Sequence, residues 1–202
     1  SATYNPLAHG TPAEIASRVL GTLAAASDGG FTEPHHRVVG QRWLNLAAAV
    51  LDALIRADAP TKRGEPWKRD LPHLAALMRP STLIHHAAAI DALMKERAED
   101  LHQEITETPE LAKSIAGMRQ RLANLTETGA EHVLNDEPDG ISLYDAITRG
   151  DVILFSLSTG QNREAVQTIG NLLLSDLAAT FGRLEEESWA ERTDQRALVV
   201  LD

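Results

Sequence analysis

Gly150-Asp-Val-Ile-Leu-Phe-Ser-Leu157 opens the part of the chain from which a fold can be read. Residues 151–157 form a short apolar run, rich in β-branched and aromatic side chains, with the pattern of a strand buried on both faces. Beyond it, Val166, Ile169, Leu172, Leu173, Leu177 and Phe181 return at three- and four-residue steps. That spacing predicts a helix between Gln161 and Leu184, with Gly182 and Arg183 placed to end it. The polar, acidic stretch Glu185 to Gln195 leads to Arg196-Ala-Leu-Val-Val-Leu-Asp202, a second buried-strand pattern. Strand, helix and strand predict one βαβ unit whose two strands are parallel neighbours joined by a right-handed crossover.

Asp202 stands at the carboxyl end of the second strand pattern. That is the form of a Walker B site, where a carboxylate holds Mg²⁺ for the phosphates of a nucleotide. Four apolar residues and an aspartate equally describe any parallel strand that ends in a polar loop, so the motif alone decides nothing.

The residues ahead of this unit are patterned as helices. Ser1 to Gly10 has loop punctuation at Pro6 and Gly10. Thr11, Pro12 and Glu14 form a capping-box arrangement for a helix that carries Ile15, Val19 and Leu23 on one face and ends at Ser27-Asp-Gly-Gly30. Thr32 opens a longer helix with Glu33 and Pro34 in its first turn. Its apolar stripe of Val39, Trp43, Leu46, Val50 and Leu54 predicts a buried central helix to about Ala57. The loop Asp58 to Trp67 leaves Trp67 either packed or exposed. A short helix from Leu71 to Met78 is expected to stop before Pro80. Ser81 or Thr82 then caps a helix running through His85, Ala89 and Leu93 toward Glu104. Thr108-Pro-Glu110 restarts the chain in a helix with Leu111, Ile115, Met118, Leu122 and Leu125 in register. Asn135-Asp-Glu-Pro-Asp-Gly140 is a cluster of turn formers, followed by a short helix from Ser142 to Thr148.

The chain of 202 residues, 43% hydrophobic, is long enough for one good core or for a helical domain plus part of another. It has no cysteine, which excludes disulfides and thiolate metal sites and agrees with a reducing compartment. No run approaches the ~18 consecutive apolar residues of a membrane span, and no signal peptide is expected. The net charge of −10 opposes a surface that holds DNA by neutralising phosphates. Lys62, Arg63, Lys68 and Arg69, and Lys113, Arg119 and Arg121, are local exceptions with the look of ordinary solvated surface.

Among eight histidines, His35-His36 and His85-His86, the latter pair with Asp91 downstream, invite a metal. Neighbours on a helix point ~100° apart and no His-x3-His spacing exists, so neither pair makes a two-ligand face. His86 and Ile90 share a face, which sets one histidine against the core. Ser156, Ser158 and Thr159 lack a Gly-x-Ser-x-Gly elbow and read as a strand-to-helix turn. Asn162 and Arg163 fall in the first turn of the following helix, where an arginine opposes the helix dipole and asks for a specific partner. No Gly-x4-Gly-Lys-Ser/Thr phosphate loop is present.

Gly150 to Leu157, then Asn162-Arg-Glu-Ala-Val-Gln-Thr-Ile-Gly-Asn-Leu-Leu-Leu-Ser-Asp-Leu177, then the run ending at Asp202, resemble the TraD/TraG family of type IV coupling proteins, the conjugation ATPases. Tyr4-Asn-Pro-Leu7 and Phe31-Thr-Glu-Pro-His-His36, followed by a helix carrying Trp43, resemble the same family's segment between Walker A and Walker B. The resemblance implies a mainly α fold: a helical bundle, the family's all-alpha domain, followed by a βαβ piece of a RecA-like nucleotide-binding domain. It divides the chain into a lead-in and first helix (1–30), the all-alpha domain (31–140) and the βαβ piece (141–202). It also implies a Mg²⁺-binding role for Asp202 in a parent ATPase that is hexameric and anchored at the inner face of a bacterial inner membrane.

The expected function is a substrate-recognition module that contacts a relaxase or accessory protein, with DNA contact disfavoured by the acidic charge. ATP and Mg²⁺ are expected to serve the parent rather than this piece, which is not expected to hydrolyse nucleotide without a Walker A loop. The partner surface is sought in the loop from Pro60 to Arg69 and near Lys95 to Glu110, with Lys62, Arg63, Lys68, Arg69, Lys95 and Arg97 as its cations. An alternative is a structural helical insertion of another RecA-like DNA translocase, with no cargo role. A third is a free-standing bundle with a small-molecule pocket, which asks two strands to be stable alone.

Overall fold

A computed structural model describes residues 3–25, 33–127, 134, 140–155 and 163–191. The architecture is mainly helical, in keeping with a helical bundle. In chain order the helices are α1 (Pro12–Ala25), α2 (Pro34–Arg56), α3 (Leu71–Leu77), α4 (Pro80–Ile90), α5 (Ala92–Glu107), α6 (Pro109–Glu127), α7 (Leu143–Arg149) and α8 (Arg163–Glu191).

The bundle is built around α2, which touches α1, α3, α4, α5 and α6. Its expected stripe of Val39, Trp43, Leu46, Val50 and Leu54 is buried, and Ala47 and Ala48 are small enough to let neighbours approach between the large residues. Length and composition would let α2 cross a membrane, but 61% of its most apolar window is packed inside the protein. It is a core helix. Among the described residues no other helix is long and apolar enough to cross one. At its C-terminus Asp58 takes the left-handed conformation, φ 48°, and the amides of Asp58 and Ala59 return to the carbonyls of Ile55 and Leu54.

The start of α1 is the expected capping box. Thr11 N donates to Glu14 Oε2 at 2.6 Å and Glu14 N to Thr11 Oγ1 at 3.3 Å. Those bonds from Thr11 hold the Glu14 carboxyl below the usual range. A group lowered in this way stabilises the fold above the unfolded carboxyl's pKa and stops doing so as pH falls through the folded value. Thr11→Ala is therefore expected to cost about 1 kcal/mol at neutral pH, read from a urea midpoint, with a smaller loss in acid.

Several boundaries differ from expectation. The short helix α3 stops before Pro80 as expected, but the next helix begins at Pro80 itself, with Arg79 and not Ser81 or Thr82 at the cap position; the missing N–H of Pro80 is not needed there. The continuous helix expected from Thr82 to Glu104 is broken at Asp91, whose backbone is extended (φ −159°, ψ 140°). Its carboxylate accepts from Leu93 N at 3.2 Å, so one residue ends α4 and caps α5. Gly182 and Arg183 do not end α8, which runs on to Glu191. The N-terminal loop turns out to belong to the core, with Tyr4 and Leu7 fully buried. Thr32, the turn at 27–30 and the linker residues 135–139 lie outside the described residues.

The expected strand at 151–157 is described only over 151–155, and those residues pair with no strand. Val152 is 98% exposed and Leu154 88%, so the run is not covered on both faces; Ile153 and Phe155 pack against the core. Among the described residues the only ladder-like pairings are single bridges, Tyr4 with Ile141 and Pro60 with Pro66. The second expected strand, Ala197–Leu201, and Asp202 lie outside the described residues.

The long helix α8 lies against α1 and α7. Its buried ridge is Thr168, Leu172, Asp176, Thr180 and Leu184, a strict four-residue series. Of the apolar series expected on this helix, Leu172 is buried in the ridge, while Val166, Ile169, Leu173, Leu177 and Phe181 are only half covered. The ridge is semi-polar because Asp176 faces a partner, described next.

Candidate functional site

Of the six cations expected to form a partner surface, the structure leaves two at the tip of one loop. Between α2 and α3 the chain folds back on itself: Thr61 N donates to Glu65 O at 2.7 Å and Gly64 N to Thr61 O at 2.9 Å. Gly64 adopts φ 83°, which a side chain would resist, and the turn presents Lys62 and Arg63 to solvent. The chain then dives at Trp67, which is buried.

Trp67 organises the ground beneath the loop. Its ring lies 5.5 Å from that of His73 on α3 and 5.0 Å from that of His86 on α4, both edge-on, and His85 stacks edge-on against His86 at 5.1 Å. His86 is half-buried, as its shared face with Ile90 suggested, while His85 is exposed. Burial holds the His86 imidazole below the ordinary histidine range, and the nearby His85 and Lys62 charges push it the same way. His73 is differently placed. Its Nδ1 meets Asp70 Oδ1 at 2.6 Å, and the same carboxylate caps α3 by accepting from His73 N at 3.0 Å.

Arg69 leaves the candidate surface. Its guanidinium grips Asp52 of α2 through two bonds, 2.9 Å and 2.6 Å, and also donates to Ala8 O at 3.3 Å. Its own carbonyl accepts from Asn5 Nδ2 at 2.7 Å. Arg69 ties the loop to α2 and to the N-terminal segment. On α5, Lys95 pairs with Glu99 one turn on at 3.4 Å, and Arg97 is exposed. Lys68 is half-buried with interactions of its own. Among the described residues no group of three histidine, aspartate or glutamate side chains is placed to hold a metal ion. His35 instead lies 3.8 Å from Glu104, which Arg42 also holds, and His36 meets Ser114 Oγ at 3.1 Å.

A second polar centre, unforeseen from the sequence, is internal. Arg18 of α1 and Asp176 of α8 form an ion pair at 2.9 Å with side chains 4% and 8% exposed. Tyr4 donates its hydroxyl to the other carboxylate oxygen at 2.7 Å, and Arg18 also donates to the carbonyl of Pro6. Burial raises the Asp176 carboxyl above the usual range, opposed by the Arg18 charge and the Tyr4 hydrogen bond. Tyr4 is raised as well, chiefly by burial and then by Asp176. The Tyr4 ring packs edge-on against Phe155, centroids 5.3 Å apart. This hub holds together the N-terminal segment, α1, α8 and the run after α7. The signal for it was present only as a single aspartate, Asp176, among the leucines in the middle of α8 and an arginine between Ser17 and Val19.

At the far end of α8, Tyr144 of α7 donates to Glu187 while Arg183 lies 3.9 Å over its ring. Thus Tyr144 sits beside residues 183–187 and Phe155, through Tyr4, beside Asp176. From α7 to Phe155 the chain runs antiparallel to α8. The sequence matches no family model and no curated protein, and the structure matches no solved structure.

Proposed function

We propose that this chain is the cargo-recognition portion of a type IV coupling protein, its helices an all-alpha domain set into a RecA-like motor and its residues from 141 onward a slice of that motor. The observation that carries this reading is the apolar surface left exposed on residues 151–155 and along α8. Val152 and Leu154 stand in solvent, and the apolar stripe of α8 is half covered. A two-stranded sheet is marginal by itself, whereas a strand and crossover helix drawn from a larger parallel sheet would leave such faces for neighbouring strands. The antiparallel course of residues 144–155 along α8 supports the same view, since the first strand of a βαβ unit runs in that sense against its crossover helix. In the proposal Ala197–Leu201 returns beside residues 151–155 as a parallel strand, and Asp202 at its end contributes to Mg²⁺ and ATP binding in the complete motor.

Relaxase or an accessory protein is the proposed cargo, contacted through the loop that carries Lys62 and Arg63, at the cytoplasmic face of the membrane. The net charge of −10, with Arg69 and Lys95 both engaged by carboxylates, favours a protein partner over DNA. Binding to a purified relaxase is expected to change little between about 50 and about 200 mM salt, while binding to duplex DNA is expected to be weak and to fall steeply over that range. Failure to bind relaxase at either salt concentration would leave the helices as a structural insertion and overturn the cargo role.

A further inference from the structure

The helices meet across two kinds of surface. Every buried position of α2, from Val39 to Leu54, is a hydrocarbon, an indole or a glycine. The surface between α1 and α8 is mixed. Its ridge on α8 sets Thr168, Asp176 and Thr180 among Leu172 and Leu184, and α1 answers with Arg18, with Thr22 buried one turn on. Among the described residues α8 packs substantially on α1 and α7 alone, and α7 packs on α8. Further ties reach the segment before α1: Ile141 N donates to Thr3 O at 2.7 Å, His9 Nε2 lies 3.3 Å from Ser142 Oγ, and Tyr4 donates to Asp176 and packs on Phe155. That segment and α1 are in turn bound to the bundle. Asn5 and Ala8 hold Arg69, α1 packs on α2, and Gln41 Nε2 donates to Ala13 O at 3.3 Å. Residues 3–25 therefore stand between α2 to α6 on one side and α7, residues 150–155 and α8 on the other.

We propose that residues 3–25 are a coupling and the Tyr4–Arg18–Asp176 cluster its latch: α7, residues 150–155 and α8 release from α1 as one unit while α1 to α6 stay folded. Release exposes less hydrocarbon than any parting along α2 and returns two charges to water, which recovers much of the desolvation imposed on the ion pair by closing. The closed latch is also incompletely satisfied, since Arg18 Nε is buried and has no hydrogen-bond partner among the described residues. α2, by contrast, parts from its neighbours only by exposing Trp43 and the leucines beside it. The easiest opening thus runs along the seam between α1 and α8. Asp176 meets both Arg18 and Tyr4 at one register only, so the same atoms fix where α8 settles on return. For what the two halves do, this inference rests on the cargo reading, under which movement of the motor slice reaches the cargo-binding helices through α1 and the segment ahead of it. The release itself stands without that reading.

The test is amide hydrogen exchange of the intact chain at urea concentrations below its unfolding transition. Amides of α8 are expected to be at least about tenfold less protected than those of α2, with a weaker dependence on urea because less surface opens. Tyr4→Phe keeps the ring against Phe155 and removes the donor to Asp176, and should speed exchange in α8 roughly five- to tenfold. Ala98→Gly, inside α5 and away from the seam, weakens the bundle in the closed and released forms alike. It should speed α2 about fivefold and leave α8 unchanged. Equal acceleration of α2 and α8 by Ala98→Gly would show that the halves open together, and no acceleration of α8 by Tyr4→Phe would show that the cluster is not the latch; either result overturns the proposal. Neither readout involves a relaxase, so a failure of the release and a failure of cargo binding are seen separately.

Discussion

Arg18→Met is expected to destabilise the protein by about 3–5 kcal/mol, because it leaves the Asp176 carboxylate buried with its counter-charge gone. In a domain of this size that corresponds to a fall in Tm of roughly 10 °C or more. The pH dependence separates this cause from lost packing. Asp176 already titrates above the usual carboxyl range through burial, with Arg18 the main opposing influence. Without Arg18 its folded pKa rises further. A carboxyl raised on folding favours the folded state when protonated, so the variant should recover stability relative to wild type as pH falls below neutral. Thermal melts of both proteins between about pH 5 and pH 8 check this. A constant deficit across that range would mean that Arg18 matters for its hydrocarbon and not for its charge. The double replacement Arg18→Met with Asp176→Leu is expected to restore much of the loss, since neither charge is then stranded.

Trp43→Ala should be comparably severe, about 3–5 kcal/mol. Trp43 is among the largest fully buried side chains, at the centre of α2, and its Nε1 donates to Met78 O at 3.2 Å beyond the end of α3. Truncation empties the middle of the bundle and leaves that buried carbonyl without its donor. Trp43→Phe keeps most of the volume and should cost clearly less. Chemical denaturation of the two variants gives the comparison, and equal losses would show that the hydrogen bond, not the cavity, dominates.

Periodicity carried the helices well wherever one face is apolar and the other solvated. The stripes of α2 and α6 were readable residue by residue, and the capping box at Thr11 and Glu14 marked the start of α1 to the residue. Two kinds of feature were not readable. The break at Asp91 has no proline or glycine to announce it: the helical pattern continues through it, and only the aspartate's ability to cap the next turn from an extended conformation separates α4 from α5. On α8 the apolar stripe gave only part of the buried face: Leu172 is buried and its other members are half covered, while the ridge also takes in Asp176, paired with Arg18 158 positions away. No local pattern encodes a partner so distant. The same limit applies to Arg69, exposed in any charge count yet committed to Asp52.

The Tyr4 hub has a consequence for the order in which the molecule comes into being. Tyr4 and Asp176 are separated by 172 positions, so the hydroxyl waits for its acceptor until all of the intervening chain has been synthesised. Local helix pairs such as α4 with α5 and α1 with α2 can close early, but Arg18 lacks its anion throughout that time, and the segment before α1 is sealed only when α8 arrives.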